Sequence, residues 1–457
     1  MRKHDGGGVF DNQVRTRFLV DPLRPAFGGP PPPQARGRRV NTYTPPMPLR
    51  ILHISTRLIQ GGSQENTVLS CEGQAELGHE VHLAYGPIFG PEGSYFDRAN
   101  DFRTRDGRRI GMHELRHLVR EVNPIKDIRA SREMHRFIKE LQPDIVHTHS
   151  SKAGVIGRAA AWGVYRKSGK RKRPAIVHTI HGPPFHKYET EFKNMLYVQA
   201  EQMAARKCHL IVSVADAMTE QFRAKGIGHE DQFVTVRSGM ETEHFLNPLP
   251  NETREAMRRE LGFSDGDFVI GTVARLAEHK GHDDILDALG IELRNNPSWK
   301  LLWVGDGWWS ERLLARVAEM GLSDQVVTTG LVPQHRVGAM MRAMDVLLHP
   351  SYREGLPRTV PQALLCGVPV CASDTDGTPE ACIDPEVDAA HATGKIFMVG
   401  DTKGLRDAVV WMFEHPEERR AMGERGRAMC SAMFSTHAMV QGLEDVYARA
   451  IELAEAR

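Results

Sequence analysis

Short apolar segments alternate with helix-like stretches along the chain, and the alternation comes in two runs. In the first run, apolar segments that begin at Arg50 and Ala175 end in glycine or polar residues before amphipathic sequence follows. The second run repeats this pattern from Phe268 to Met398. Strands and helices in alternation are typical of parallel sheets covered by helices. Two such runs in 457 residues predict two doubly wound, Rossmann-like α/β domains.

The expected strands follow from the apolar segments and their flanking turn residues. Residues 87–130 are interpreted as irregular and polar, and a helix is predicted over 131–141. The predicted strands are 50–55, 80–84, 144–149, 175–182, 209–214 and 232–236 in the first run, and 268–273, 300–304, 325–328, 346–349, 369–372 and 395–398 in the second.

Residues 1–47 differ from the rest of the chain. They are rich in glycine and proline, carry a basic run at 36–39, and show no apolar periodicity. Such a composition cannot bury enough surface to offset the entropy of ordering, and it lacks the apolar core of a signal peptide. Two interpretations stay open, a disordered leader or a misassigned start with Met47 as the true first residue.

A single carboxylate opens a glycine- and proline-containing loop at residues 354–359, which read Glu-Gly-Leu-Pro-Arg-Thr. The loop leads into a short helix. A loop that enters a helix presents free backbone N–H groups and the positive end of the helix dipole, which favour phosphate. Glu354 beside it can bind hydroxyl groups. This combination predicts a ligand that contains both a pyrophosphate and a sugar.

A second loop, about eighty residues upstream, carries two cations. An apolar strand over Phe268–Val273 is followed by Arg275 and Lys280, and a helix begins near Gly281. Ligands of open α/β sheets bind just beyond the carboxyl ends of the strands. Arginine offers a forked donor and lysine a point charge, so the loop favours an anionic ligand. An ordinary solvated loop is the alternative for this segment alone.

Taken together, the two loops resemble the retaining glycosyltransferases of family 4, which have the GT-B fold. Gly271 to Gly281 and Glu354 to Gly355 match the two family segments, and Ala363 to Val370 matches the segment that follows. Further matches are Val304-Gly305-Asp306-Gly307, Gly330-Leu331-Val332 and the loop 373–380. The resemblance covers roughly residues 49–450.

The resemblance implies an architecture and a set of site residues. The two domains would span 48–245 and 246–433 and face each other across a cleft, and a helix over 434–457 would cross back to the first domain. The implied catalytic residues are Glu354, Arg275, Lys280 and His181. The implied donor-binding residues are Gly305, Asp306, Gly330, Leu331, Gly355, Leu356, Pro357, Arg358, Thr359 and Gln362, and the acceptor-side residues are Gly61, Gly62, His149, Ser150 and Lys152.

One position departs from the family pattern. The second glutamate of the family, eight residues after the first, is Gln362 in this chain. In the family this residue holds the ribose hydroxyls of the nucleotide. Glutamine can still accept and donate a hydrogen bond, but it lacks the charge-assisted bond, which is about twice as strong as a neutral one. Weaker or differently selective donor binding is therefore expected, with activity retained because Glu354 is intact.

The implied reaction is the transfer of a sugar, with retention, from a UDP- or GDP-sugar to a glycan or a lipid-linked acceptor, in surface polysaccharide synthesis. The donor is a substrate, and no cofactor or metal is expected. Two alternatives stay open. One is a GT-B enzyme of other chemistry, a sugar-nucleotide 2-epimerase or an inverting transferase, and the other is a non-catalytic nucleotide-sugar-binding protein.

Histidines and aspartates raise the question of a metal. His147, His149, His178 and His181 all follow or end strands, but neighbouring strand residues point to opposite faces of a sheet. His147 and His186 are further candidates for acceptor contacts. The segment Asp374-Thr375-Asp376 has the spacing of a metal-bound nucleotide-sugar site, yet the family fills this loop without ligands, so we interpret it as loop structure.

Charge and cysteine content exclude several classes of protein. The net charge is +1, which gives no indication of a nucleic-acid partner. The six cysteines are scattered without metal-ligand spacing, which fits a reducing, cytoplasmic compartment. No run of 18 apolar residues is present, so no transmembrane helix is expected. A basic run at 167–173 could contact anionic lipid head groups at the inner face of the membrane.

Overall fold

A computed structural model of the chain describes residues 47–87, 93–169, 173–186 and 189–457. The predictions made for residues 1–46, and for residues 170–172 of the basic run, lie outside the described residues. Two parallel sheets, each covered by helices, make up the described chain after Met47.

The first sheet has seven parallel strands in the order β3-β2-β1-β4-β5-β6-β7. Its strands are β1 Arg50–Ser55, β2 Glu80–Tyr85, β3 Gly111–Glu114, β4 Ile145–His149, β5 Ala175–Ile180, β6 Leu210–Ser213 and β7 Phe233–Thr235. The helices between them are α1 Gly62–Glu76, α2 Phe96–Asp101, α3 Pro124–Leu141, α4 Ser151–Tyr165, α5 Glu191–Ala205 and α6 Asp216–Ala224.

The second sheet has six parallel strands in the order β10-β9-β8-β11-β12-β13. Its strands are β8 Phe268–Val273, β9 Trp299–Val304, β10 Val326–Gly330, β11 Val346–His349, β12 Val370–Ser373 and β13 Gly394–Phe397. The helices are α7 Glu243–Leu246, α8 Arg254–Leu261, α9 His282–Asn295, α10 Ser310–Glu319, α11 Val337–Arg342, α12 Thr359–Leu365, α13 Thr402–Glu414, α14 Pro416–Met433 and α15 Thr436–Ala456.

The prediction of two doubly wound domains is confirmed, because helices cover both sheets and the central strands are buried over almost their whole length. The interpretation of 87–130 as irregular is wrong in part. Strand β3 lies in it, and α3 begins at Pro124 rather than near 131. The sequence does mark this start, since the side chain of Asn123 accepts from the Lys126 N–H at 3.0 Å and proline occupies the first turn.

The last helix returns to the first domain, as the resemblance implied. Ser435 caps α15 by accepting from the Ala438 N–H. Further along, the buried hydroxyl of Tyr447 lies 2.7 Å from Nδ1 of His147 on β4, and the hydroxyl of Tyr165 on α4 donates to the Ala454 carbonyl. The helix therefore ties the end of the chain to the centre of the first sheet. Within the described ranges, no helix is long and apolar enough to cross a membrane.

Candidate active site

Both sheets reverse their strand order at one point, and several of the predicted site residues lie near these two points. In the first sheet the chain leaves β1 for β2 and β3 and then returns to β4 on the other side, and in the second it does the same around β8 and β11. Crevices at such points are where open α/β sheets bind ligands. Ser150 follows β4, Lys280 follows β8 and Glu354 follows β11.

Glu354 and Lys280 form an ion pair at the carboxyl end of the second sheet. Lys280 Nζ lies 2.5 Å from Glu354 Oε1, and the two side chains are 19% and 15% exposed. The loop after β8 can come this close because its last residue is a glycine. Gly281 has a φ of 72°, and a Cβ there would collide with the carbonyl oxygen of Pro350.

The charge of Glu354 is held by its neighbours. Burial on its own raises the pKa of this carboxyl, but the contact with His349 and the charge of Lys280 outweigh it and hold the pKa well below the ordinary value. His349 Nε2 lies 3.3 Å from Glu354 Oε1 at the end of β11. Glu354 is therefore an anion at neutral pH and acts as a hydrogen-bond acceptor.

The backbone of Glu354 is fixed by a second carboxylate. Its N–H donates to Asp376 Oδ2 at 2.6 Å, and the other oxygen of Asp376 accepts from Gln221 of α6 at 2.8 Å. Asp376 has a φ of 47°, a left-handed conformation that aspartate tolerates better than most residues. The Asp-Thr-Asp segment thus shapes the Glu354 loop and joins it to the first domain.

His181 meets the Glu354 loop from the first domain. A Cβ on Gly355 would collide with the carbonyl oxygen of His181, so only glycine allows the two segments to approach this closely. Burial, together with the charge of Arg358, lowers the pKa of His181 to about 3, which keeps the imidazole neutral. Its Nε2 lies 3.2 Å from Nδ1 of His149, behind it on β4.

A cavity of about 700 Å³ opens between His181 and the Glu354 loop. Its walls include the first turn of α1, the first turn of α4 and three arginines, namely Arg120, Arg353 and Arg358. A second cavity, of about 740 Å³, lies on the other side of Glu354 and is lined by Lys280, Tyr352 and the Asp374–Asp376 loop. Glu354 and Gly355 line both cavities, so ligands on either side would meet at Glu354.

Arg358 reaches from the second domain to the first. Its Nη2 lies 2.7 Å from Oε1 of Glu65 on α1, and its Nη1 donates to the carbonyl of Gly239 at 3.2 Å. Glu65 is buried and also accepts from the hydroxyl of Tyr95 at 3.2 Å. Arg353 makes a similar crossing, since its Nη1 lies 2.6 Å from Nε2 of His186.

The structure brings some of the predicted site residues together and leaves others apart. Glu354, Lys280, His181, Gly355, Leu356, Arg358, Gly62 and Ser150 lie on the walls of the two cavities. Arg275 is exposed and lies over the ring of Trp308, with 5.6 Å between the guanidinium carbon and the ring centroid. Lys152 forms an ion pair with Asp127 at 2.7 Å.

His186 lines the second cavity, and the remaining predicted residues lie outside both cavities. Gly305 and Gly330 are joined by a backbone hydrogen bond of 3.0 Å, and Leu331 is 81% exposed. Gln362 is buried on α12, and its side chain makes no hydrogen bond with the described residues. The other members of this group are Gly61, His149, Asp306, Pro357 and Thr359. Their assignments as binding residues stay predictions.

The sequence analysis did not identify three residues at the site: His349 contacts Glu354, Glu65 binds Arg358, and Trp308 lies under Arg275. Asp376 was interpreted as part of a loop, and it binds the backbone of Glu354. His349 ends a predicted strand, which is the place where ligand-facing polar residues of parallel sheets gather, so its position was a usable signal. Glu65 and Trp308 carried no such signal in the sequence, because the residues they contact are far away along the chain.

Comparison with known proteins agrees with this geometry. The sequence model of the "Glycosyltransferase Family 4" proteins matches residues 60–244, and that of "Glycosyl transferases group 1" matches residues 253–429. The two matched segments contain the two sheets almost completely. The chain belongs to glycosyltransferase family 4. It is a nucleotide-sugar-dependent glycosyltransferase with the GT-B fold.

Two curated relatives and one solved structure show the extent of the similarity. The capsular polysaccharide biosynthesis glycosyltransferase CapM of Staphylococcus aureus is 22% identical, over 75% of this chain and 88% of CapM. The UDP-Gal:α-D-GlcNAc-diphosphoundecaprenol α-1,3-galactosyltransferase of Escherichia coli is 28% identical, over 57% of this chain and 65% of its own length. The UDP-glucose complex of HepE from Anabaena superposes with a TM-score of 0.68 at 18% identity, covering 88% of this chain and 99% of HepE.

Proposed function

We propose that this glycosyltransferase moves a sugar, with retention of anomeric configuration, from a UDP- or GDP-sugar to a glycan or lipid-linked acceptor in surface polysaccharide synthesis. Two relatives support the setting, one named for capsular polysaccharide biosynthesis and the other for a diphosphoundecaprenol-linked acceptor. The observation that carries the chemistry is the Lys280–Glu354 ion pair at the meeting point of two cavities.

Lys280 supplies the positive charge that the leaving group needs. In the proposed reaction the bond between the anomeric carbon and the terminal phosphate oxygen breaks, and negative charge grows on the phosphate. A fixed cation in a partly buried site stabilises such charge strongly. Lys280 is 19% exposed and is already held in place by Glu354, so it can meet the phosphate with little reorganisation. No cofactor is part of this proposal.

Glu354 takes the role of a sugar-binding carboxylate. It stays ionised beside Lys280 and His349, and it lines the first cavity together with His181. A retaining glycosidase places two carboxyl groups about 5 Å apart. Of the other carboxylates on the cavity walls, Glu201 pairs with Arg158 at 2.6 Å, Asp376 binds the Glu354 backbone, and Asp374 is not free either. We therefore assign retention to attack on the leaving-group face, with the acceptor proton passing to the departing phosphate.

A lipid-linked acceptor would bring the enzyme to the cytoplasmic face of a membrane. Lys167 is exposed at the end of α4, and the guanidinium of Arg173 lies 4.9 Å from the ring centroid of Tyr165. Each cation near an anionic membrane contributes about 1 kcal/mol. Co-sedimentation with vesicles of phosphatidylglycerol should therefore exceed that with phosphatidylcholine, and replacing Lys167 and Arg173 together by glutamine should reduce it.

The proposal is tested with purified enzyme and a panel of UDP- and GDP-sugars, with and without diphosphate-linked lipid acceptors. Transfer that needs the acceptor and gives the anomeric configuration of the donor, read by NMR of the product, is the expected result. Glu354→Ala is the matched negative control. Conversion of a nucleotide sugar without any acceptor would instead show an epimerase, and an inverted product would overturn the assignment of retention.

A further inference from the structure

A continuous line of hydrogen bonds runs from the wall of the cavity into the core of the first domain. His181 Nε2 lies 3.2 Å from His149 Nδ1, and His149 Nε2 lies 2.9 Å from His53 Nδ1. The line continues from His53 Nε2 to Oε1 of Gln74 at 2.7 Å. His53, His149 and Gln74 are at most 1% exposed, so none of them reaches a ligand in the cavity.

The end of this line sets the direction of every bond in it. The amide oxygen of Gln74 can only accept, so His53 must carry its proton on Nε2. A neutral imidazole has one N–H, and therefore Nδ1 of His53 accepts from Nε2–H of His149. The same reasoning makes His181 a donor through Nε2–H to His149. Burial lowers the pKa of His53 to about 4 and that of His181 to about 3, which keeps both rings neutral.

Tyr447 of the crossing helix α15 binds the other end of the Gln74 amide. Gln74 Nε2 donates to the hydroxyl of Tyr447 at 3.0 Å, and that hydroxyl lies 2.7 Å from Nδ1 of His147. The remaining nitrogen of His147 lies 2.7 Å from the hydroxyl oxygen of Thr179. The amide oxygen of Gln74 thus binds His53, and its amide nitrogen binds Tyr447. Exchanging the two by rotation of the amide would reverse the direction of the hydrogen bonds on both sides of Gln74.

We propose that Gln74, His53 and His149 are positioning residues that hold His181 as the Nε2–H tautomer, so that its Nδ1 accepts a hydrogen bond from a hydroxyl group of the sugar in the cavity. His181 lines the cavity, and its Nδ1 has no hydrogen-bond partner within the described ranges. The part of this proposal that concerns the sugar rests on the proposed function, whereas the tautomer does not.

A metal ion is the competing explanation for these histidines. Ligand atoms of His53, His147 and His149 lie within 4.8 Å of one another. However, each ring nitrogen of these three residues already has a hydrogen-bond partner between 2.7 and 3.2 Å away. A metal would have to break that set of bonds, and the geometry therefore favours the hydrogen-bonded line.

The tautomer can be read directly, without any sugar, by long-range ¹H–¹⁵N NMR of the full chain at about pH 8, where histidines are neutral. The His181 signal is identified by its loss in His181→Gln. We expect Nε2–H in the wild type and in Gln74→Glu, because an ionised carboxylate can only accept. Gln74→Leu removes the acceptor and should shift the His181 population towards Nδ1–H. Ser70→Ala, a buried change on the same helix outside this line, is the control and should match the wild type.

Nδ1–H on His181 in the wild type or in Gln74→Glu would overturn the proposal, and so would an unchanged tautomer in a folded Gln74→Leu. If Gln74→Leu does not fold, the spectra of the wild type and of Gln74→Glu still test the proposed tautomer. Stoichiometric zinc in the purified wild type would also overturn it.

Kinetics supply the second readout. With an accepted donor, Gln74→Leu should lower kcat/KM by about five- to tenfold, the effect of one neutral hydrogen bond, and Gln74→Glu should recover most of it. If Gln74 only packs α1 against α15, the buried charge of glutamate should be the more damaging change, which would contradict the proposal. A wild type that turns over no nucleotide sugar would refute the proposed function and leave the NMR result standing.

Discussion

Lys280 Nζ lies 2.5 Å from Glu354 Oε1, and the two residues follow neighbouring strands of the second sheet, β8 and β11. They are 74 positions apart in the chain, and only the parallel pairing of these strands brings their loops together. The ion pair keeps a carboxylate for the sugar and a cation for the phosphate side by side before any ligand arrives.

Lys280→Ala should lower kcat by about two to three orders of magnitude, the scale observed when one transition-state donor is removed. The melting temperature should also fall, because the variant leaves the largely buried carboxylate of Glu354 without its cation. Lys403→Ala is the matched control, since that lysine is 81% exposed and pairs with Asp407 on α13. Steady-state kinetics and thermal melts of both variants check this. Normal turnover of Lys280→Ala would show that the phosphate binds elsewhere.

Asp376 should matter for activity through the backbone of Glu354. Asp376→Asn keeps an acceptor and tolerates the left-handed conformation, but it loses a charge-assisted bond of about twice the neutral strength. We expect kcat to fall about five- to tenfold and stability to change little. Asp376→Ala should do worse in both respects, with an additional conformational cost of about 1–2 kcal/mol. Equal behaviour of the two variants would mean that the bond to Glu354 does not position the loop.

The architecture could be predicted from the sequence because most of the buried strands are short, mainly apolar segments that end in turn residues. Strand β3 escaped because Gly111–Glu114 is short and only partly buried, at the edge of the sheet. At the site, Glu354 and Lys280 were predictable from their places after strands. The contacts of Glu65 with Arg358 and of Gln74 with Tyr447 were not, since they depend on how two domains and a returning helix dock.

Glu380 should make stability depend on pH. Burial raises its pKa to about 7, despite the Ala217 N–H and the Arg237 guanidinium that bind it at 3.0 Å. The folded state therefore binds more protons than the unfolded state between about pH 4.5 and 7, and the contribution of Glu380 to stability falls as pH rises through this window.

Glu380→Gln removes the titrating group while keeping one acceptor. Relative to the wild type, this variant should gain stability as pH rises from about 4.5 to 7, and the difference should level off above that. Denaturant unfolding at a series of pH values measures it. Glu255→Gln, on the exposed face of α8, is the control. A difference between Glu380→Gln and wild type that does not vary with pH would contradict the raised pKa.

Substitutions at Gln362 and Glu354 should distinguish binding of the nucleotide from the chemistry of the sugar. If it touches the ribose, its contacts are the same before and during reaction, and such uniform binding affects KM while kcat stays near its starting value. Gln362→Ala should therefore mainly raise the KM for the donor. Glu354→Ala should nearly abolish transfer, because Glu354 touches the reacting sugar in our proposal.

Gln362→Glu restores the residue that the family pattern has at this position. A charge-assisted bond to a ribose hydroxyl should lower KM by about fivefold, equivalent to about 1 kcal/mol. Desolvation works against this gain, because the side chain of Gln362 is only 8% exposed and forms no hydrogen bond with the described residues, so an unoccupied site should be less stable in the variant. Bound donor should therefore raise the melting temperature of Gln362→Glu more than that of the wild type. A Gln362→Ala enzyme whose kcat collapses while its KM holds would instead place Gln362 in the chemistry, and the separation of roles between it and Glu354 would have to be abandoned.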